Sequence, residues 1–455
     1  MAPPADDLRR LIRLAWPIVL SQLGSHLLGF VDTAVVGRLG ELPLAAVGLG
    51  NAIYFLFAIL ATGTMFAFDP LVAQAIGAGE REGARRMFWQ GLWLAGILTV
   101  PATLAILGAD VVLLHSPLRP ELVEETSRYL LARLPALLPQ LLVVATRSYL
   151  QSQDITRPYL VSVVVANAVN LPLDWLFVFG DEGLIRLGLP AVGMPSFGAA
   201  GAGIVTTMSS LVQIAIVLRA TQGLGVANVD SKRPDRAVLR AALRIGMPMG
   251  LTLAAEMGIF STVSVLAGSM GTRAMAAHMV AITLAGTTFQ VPLAIGMAAA
   301  VRVGQAVGAG DYLAARRAGL RALGLGTTIM TACSVLFFAA PSTVARLLSD
   351  HPMVLESSRP LIFVAAVFQV FDGVQAVAVG ALRGTGDTRA ALWANLGGHT
   401  LIALPVALYL GFELDWGAEG LWWGLCAGLG VVGALLTARF LRITKAPIAR
   451  ISIAP

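Results

Sequence analysis

Long apolar stretches alternate along the chain with short clusters of charged, glycine and proline residues. Runs bounded in this way fall at 11–37, 45–76, 87–114, 127–150, 159–180, 196–220, 241–268, 275–307, 316–348, 353–383, 389–411 and 416–443. A helix needs about 20 apolar residues to cross a hydrocarbon core, so each run predicts one crossing. The longer runs predict tilt, kinks or extension beyond the lipid. The expected fold class is therefore all-α integral membrane, with twelve transmembrane helices.

The runs are also related to one another. Ala73-Gln-Ala-Ile-Gly-Ala-Gly-Glu80 recurs as Gly304-Gln-Ala-Val-Gly-Ala-Gly-Asp311, and Ala84-Arg-Arg86 recurs as Ala315-Arg-Arg317, both at an offset of 231. Arg13 with Pro17 returns as Arg244 with Pro248 at the same offset, and Thr156-Arg157 returns as Thr388-Arg389 at 232. Chance does not hold one register over that distance. The chain divides into an N-lobe (1–220) and a C-lobe (241–455), each of six helices, joined by a polar linker (221–240) expected on the cytoplasmic side. Six is even, so both halves enter from the same side, which makes this a parallel repeat with its axis along the membrane normal.

Composition agrees with a membrane protein and adds an orientation. Of 455 residues, 57% are hydrophobic and 13% charged, about half the charged share of a soluble protein. Mean hydropathy is +0.78. The net charge of +6 would suggest nucleic acid in a soluble chain, but here the placement of the bases matters. With the N-terminus inside, 24 of the 32 bases fall on the inner side and 8, Arg133 among them, on the outer side. Both termini are therefore expected in the cytoplasm, in a multi-pass protein of a plasma membrane. No base falls near the middle of any run. The first residues run into an apolar stretch too long for a signal-peptide core, and no cleavage is expected. Cys333 and Cys426 lie in apolar runs and read as packing residues.

The acids carry the chemistry. Asp32, Asp174, Glu256 and Asp372 sit well inside apolar runs, where each ionised carboxylate costs about 2.5–3.5 kcal/mol even on the gentler insertion scales. With no deep base to pair them, each must be protonated, hydrogen-bonded, or neutralised by a proton, a metal cation or an organic cation from solution. Asn170 and Asp174 are four apart and share a helix face, and amide and carboxylate oxygens suit a hard cation. Pro17, Pro172, Pro248 and Pro292 interrupt helices and supply static kinks or bend points. Met247, Met249, Met257, Met275 and Met279 read singly as packing and together as an adaptable apolar lining. His26, His278 and His399 have no metal-ligand spacing and read as polar core residues.

On Phe30-Val-Asp-Thr-Ala-Val-Val-Gly37, Val303-Gly-Gln-Ala-Val-Gly-Ala-Gly310, Phe368-Gln-Val-Phe-Asp-Gly-Val-Gln375, Gly380-Ala-Leu-Arg-Gly-Thr-Gly-Asp-Thr-Arg389 and Ala276-Ala-His278, the chain resembles the multidrug and toxic compound extrusion (MATE) family, in particular its bacterial NorM branch. The resemblance spans nearly the whole chain. It implies a two-lobed, twelve-helix antiporter that opens alternately to either side and expels lipophilic cationic drugs in exchange for sodium or protons. It also implies an N-lobe cation or proton site at Asp32, Asn170, Asp174 and Thr206, a helix bend at Pro17, and a C-lobe site at Glu256 and Asp372. No cofactor and no resident metal beyond a possible sodium at these acids is implied. The expected surroundings are the bacterial inner membrane and its lipid, with no nucleic acid, and the expected state is a monomer. Two departures are Gln153-Asp-Ile-Thr156, where the family has a glycine-containing turn, and Asp69-Pro70, to which no role attaches.

Two rivals are weaker. Gly384-Thr-Gly-Asp387 matches the G-x-G-D of intramembrane aspartyl proteases, but this aspartate belongs to a polar loop accounted for by the repeat. A lipid-linked saccharide flippase of the same superfamily would want cationic residues for a pyrophosphate, and the runs hold no deep base. No H-E-x-x-H, G-x-S-x-G or P-loop is present, so zinc, serine-hydrolase and ATP-driven chemistry lack their parts and no enzyme is expected.

Overall fold

A computed structural model describes residues 4–222, 224 and 232–452. Among them, twelve helices are long and apolar enough to cross a membrane: α1 (Leu8–Leu39), α2 (Glu41–Gly77), α3 (Arg81–Leu114), α4 (Pro120–Gln151), α5 (Arg157–Phe179), α6 (Ala199–Gln222), α7 (Arg236–Ser269), α8 (Thr272–Gly308), α9 (Tyr312–Ala339), α10 (Pro352–Thr385), α11 (Thr388–Glu413) and α12 (Gly417–Ile443). The chain is an all-α, multi-pass membrane protein. Each apolar run of the sequence carries one of these helices, with two instructive shifts.

The ninth run reads to 348, yet α9 ends at Ala339, because Ala340 leaves helical geometry and Pro341 opens a separate short helix, Pro341–Arg346. A proline lacks the N–H that would continue the ladder, but it suits a first helical position. The fourth run reads from 127, yet α4 starts at Pro120, again a proline at the helix start. Glu121, Glu124 and Arg128 ride its exposed face while Val123, Thr126, Tyr129, Leu130 and Arg133 turn inward. A 3-10 turn at Leu134–Ala136 then joins its two segments, and Arg133 ends up in mid-span. Of the polar stretch assigned to the linker, residues 223 and 225–231 lie outside the described residues.

Two compact packing units emerge. One takes the chain up to Val19, Asp69–Glu80, and Arg244 onward; the other takes Leu20–Phe68 and Arg81–Leu243. We call them the C-terminal and the N-terminal unit.

The repeated glycine motif explains itself inside the C-terminal unit. A Cβ on Gly77 would meet the Gln305 carbonyl oxygen at 1.9 Å, and a Cβ on Gly308 would meet that of Gln74 at 2.0 Å. Gln74 and Gln305 are repeat mates, as are Gly77 and Gly308, so the two copies make the same contact reciprocally. Only glycine lets the two backbones approach this closely. Elsewhere in this unit Phe368 and Trp422 anchor a large apolar core. In the N-terminal unit Val35, Val47, Tyr129, Val178 and Ala202 form one packed layer. There Asn167 donates to the Gly24 carbonyl at 3.0 Å, holding α5 against α1.

Candidate functional site

The layer just described fixes the depth of the acids. Successive spans run in opposite directions, so one helical turn back from Val35 and Val178, and one turn on from Val47, Tyr129 and Ala202, reaches a common level. On that level stand Asp32, Asp174, Asn51, Arg133 and Thr206. Asp32 is 2% exposed and Asp174 fully buried. Asn170 Nδ2 donates to Asp32 Oδ1 at 3.1 Å, and Thr206 Oγ donates to Asp32 Oδ2 at 2.8 Å. The structure thus brings together Asp32, Asn170, Asp174 and Thr206.

Their hydrogen bonding is lopsided. Asp32 has a donor on each oxygen, whereas both oxygens of Asp174 and the Oδ1 of Asn170 are buried without a partner among the described residues. Asp174 stands within hydrogen-bonding reach of Asp32, but two carboxylates have no hydrogen to share unless one is protonated. A buried acceptor left unmade costs about 1–3 kcal/mol, more when charged. Three orphaned oxygens beside a second carboxylate are therefore suited to a proton or a hard cation and to little else.

The C-terminal unit holds a second cluster of different design. Gln375 on α10 donates to Glu256 Oε1 at 2.5 Å and to Asn395 Oδ1 at 3.0 Å, linking α7, α10 and α11. Asp372, one turn before Gln375, is 6% exposed and within electrostatic reach of Glu256. Glu256, Gln375 and Arg383 line a cavity of about 30 Å³ with Met249, Thr252 and Thr388, room for a water or two. Gln369, a further turn back, is fully buried with both amide atoms unpartnered among the described residues. On α11, Asn395 precedes a π-helical stretch, Gly398–Ala403, that contains His399; such bulges frequently mark functional positions.

Two sequence expectations change. The level of the acids does contain a base: Arg133, 5% exposed, donates to Asn51 Oδ1 and to the Tyr129 hydroxyl and lies over the Tyr54 ring. The sequence hides it, because the polar outer face of the first turns of α4 obscures where that helix begins. Asp69 also acquires a role, in a buried ion pair with Arg383 at 3.2 Å. Pro17 is buried inside α1, about four turns before Asp32. His278 takes the Trp422 indole N–H on Nδ1 at 3.1 Å and meets Ser264 Oγ at 2.8 Å through Nε2, the neutral tautomer of a core histidine. Tyr129, Asn51 and Asn395 carried no sequence signal of their own beyond polarity inside an apolar run, and Gln375 stood only as the last residue of the Phe368–Gln375 motif. Among the described residues no group of three or more His, Cys, Asp and Glu could hold a metal ion, so any resident cation relies on amide and hydroxyl oxygens as well.

The pattern of the MatE family matches twice, over residues 17–176 and 248–409, in register with the internal repeat. The chain belongs to the MatE family. It is 37% identical to a probable multidrug resistance protein NorM of Deinococcus radiodurans over 449 residues, 97% of this chain and 96% of that one. It is 33% identical to one of Pseudomonas syringae pv. tomato over 452 residues, again 97% and 96%. In three dimensions it resembles a MATE crystal structure in the straight conformation, with a TM-score of 0.86 at 22% identity over 97% of both chains. A eukaryotic MATE transporter gives 0.83 at 21% over 96% of both. At these identities the structural likeness speaks for the fold, and the family match indicates a transporter.

Proposed function

We propose that this protein is a secondary active multidrug efflux antiporter, exporting lipophilic organic cations in exchange for sodium or protons across a bacterial inner membrane, with both termini cytoplasmic. The observation that carries this reading is the set of orphaned oxygens on Asp174 and Asn170 beside Asp32. The names of the NorM relatives support the drug substrates. Asp32, Asn170, Asp174 and Thr206 form the ion site of an N-lobe (1–220), Glu256 and Asp372 that of a C-lobe (241–455), and Pro17 is the bend in α1.

The mechanism is competition for carboxylates. An ionised acid in a low-dielectric setting attracts a drug cation through several kcal/mol of unscreened charge. A coupling ion that neutralises the acid removes that attraction, and linkage makes the effect reciprocal. The drug leaves as the ion enters.

Ethidium efflux from proteoliposomes under a sodium gradient alone and under a proton gradient alone tests the proposal and identifies the ion; efflux under neither removes it. Orientation is read separately: a cysteine placed at Lys232 should resist an impermeant reagent in intact cells, and one placed at Glu121 should react.

A further inference from the structure

Arg133 is a permanent charge in an unusual setting. A guanidinium does not lose its proton in a protein, yet its hydrogen-bond partners here, Asn51 and Tyr129, are neutral, and its Nε is buried without a partner among the described residues. The Tyr129 hydroxyl spends its own hydrogen on Asn51 Oδ1 at 2.7 Å, and the Tyr54 hydroxyl donates to Gln140 at 2.9 Å, so neither phenol neutralises the arginine. Rings of Tyr54 and Phe55, at 4.7 and 5.2 Å, hold the guanidinium in place.

Its position is equally defined. A Cβ on Gly203 of α6 would lie 3.0 Å from Arg133 N and from Tyr129 O, and Thr207 Oγ donates to the Ala132 carbonyl at 3.2 Å. Arg133 therefore packs against α6 beside Thr206, the residue that binds Asp32, on the common level derived above. Asp32 and Asp174 contribute two negative charges to that level when ionised, and Arg133 contributes one positive charge.

We infer that Arg133 is a fixed counter-charge built into the N-terminal cluster, so that Asp32 and Asp174 together require one added positive charge instead of two. A buried cluster tolerates little residual charge, so the number of coupling cations at this site is set by the acids minus the arginine. The guanidinium, held by neutral groups, cannot follow a drug or ion out of the site. It acts as a positioning residue that fixes stoichiometry.

Two measurements test this. In proteoliposomes with sodium and proton gradients together, R133Q and D174N should each lower ethidium export tenfold or more, while R133Q/D174N, whose charges again sum to minus one, should export at least threefold faster than either single variant, though below wild type for want of the Asp174 oxygens. A double variant no better than the weaker single variant overturns the inference. The second measurement leaves Arg133 in place, so a folding failure of R133Q does not matter. Purified E256Q/D372N protein is melted across sodium concentrations and pH, with and without D174N. Because D174N leaves Asp32 balanced by Arg133, it should abolish the ion-dependent rise in Tm; retention of more than half of that rise overturns the inference. The inference rests on the N-terminal ion site proposed above, and D32N in the same background separates the two failures. An ion response absent in the parent, or unchanged by D32N, brings down the site; a response lost with D32N but kept with D174N brings down only the role of Arg133.

Discussion

Arg133 and Arg383 are both 5% exposed, and the two regions around them treat the same charge in opposite ways. Arg383 is met by a carboxylate, Asp69 at 3.2 Å, and the charges cancel within the protein. Arg133 is met by an amide and a phenol, while the acids on its level outnumber it. Where buried acid and base balance one to one, the protein has built a structural link. Where acids are in excess, a proton or cation from solution has to complete the charge, and the ion site proposed above rests on that excess.

The strongest way to break this contrast is to neutralise acids on each side of it. Asp32→Asn, Asp174→Asn, Glu256→Gln and Asp372→Asn each remove a buried carboxylate from one of the two acid-rich clusters while keeping its shape. Each should lower ethidium export at least tenfold, about 1.4 kcal/mol or more of lost coupling, with near-normal expression. Wild-type export by both C-terminal variants would remove the C-terminal site; wild-type export by both N-terminal variants would remove the other.

Stability should move in the opposite sense. Asp69→Asn removes the carboxylate that Arg383 donates to at 3.2 Å, and breaking a buried pair from one side costs about 3–5 kcal/mol. Asp174→Asn, in protein stripped of sodium at alkaline pH, relieves a like-charge pair and should leave Tm unchanged or raised. Thermal melting of both purified variants checks the sign; a larger loss in Asp174→Asn than in Asp69→Asn would mean that the excess acids are structural after all.

How much of this was legible in the sequence follows the same line. All twelve spans were readable because a run of about 20 apolar residues is a local property, and the Gln-Ala-x-Gly-Ala-Gly repeat exposed the duplication. Asp32, Asp174, Glu256 and Asp372 stood out singly, since an acid in an apolar run needs no partner to be noticed. Partnerships did not stand out. Asp69 and Arg383 are 314 residues apart, and no local pattern joins them. Arg133 read as a rim residue because Glu121, Glu124 and Arg128 depress the hydropathy of the turns before it. The inward stripe Val123, Thr126, Tyr129, Leu130, Arg133, at helical spacing, is the signal that places it.

Within the C-terminal cluster a smaller effect distinguishes positioning from charge. Gln375 donates to both Glu256 and Asn395, so Gln375→Leu keeps every charge and orphans two acceptors, a loss of about 1–3 kcal/mol each at most. Export should fall several-fold with an altered KM for ethidium, while Gln375→Asn, shorter by one methylene, should recover part of it. If Gln375→Leu were as damaging as Glu256→Gln, the hydrogen bond would matter as much as the charge it orients.

The smallest expected effect comes from an ion pair in water. Arg450 forks onto Glu80 with distances of 2.8 and 2.9 Å, and Ile451 N donates to Gln74 Oε1 at 2.9 Å, so the tail after α12 lies along the end of the repeated glycine motif. The hydrogen bonds from Arg450 hold the Glu80 carboxyl below its ordinary range. A depressed folded pKa means that the contribution is complete above the unfolded value of about 4.3 and fades as pH falls through the folded one. Both partners are largely exposed, so solvent screening limits the pair to about 1 kcal/mol or less. Arg450→Ala should therefore lower Tm slightly at pH 7, by an amount that shrinks in high salt and disappears as the pH drops well below 4. Arg383→Ala, with the same charge removed from a buried pair, should lower it far more and with little response to salt. Equal losses in the two variants, or equal salt sensitivity, would show that burial is not what separates these arginines.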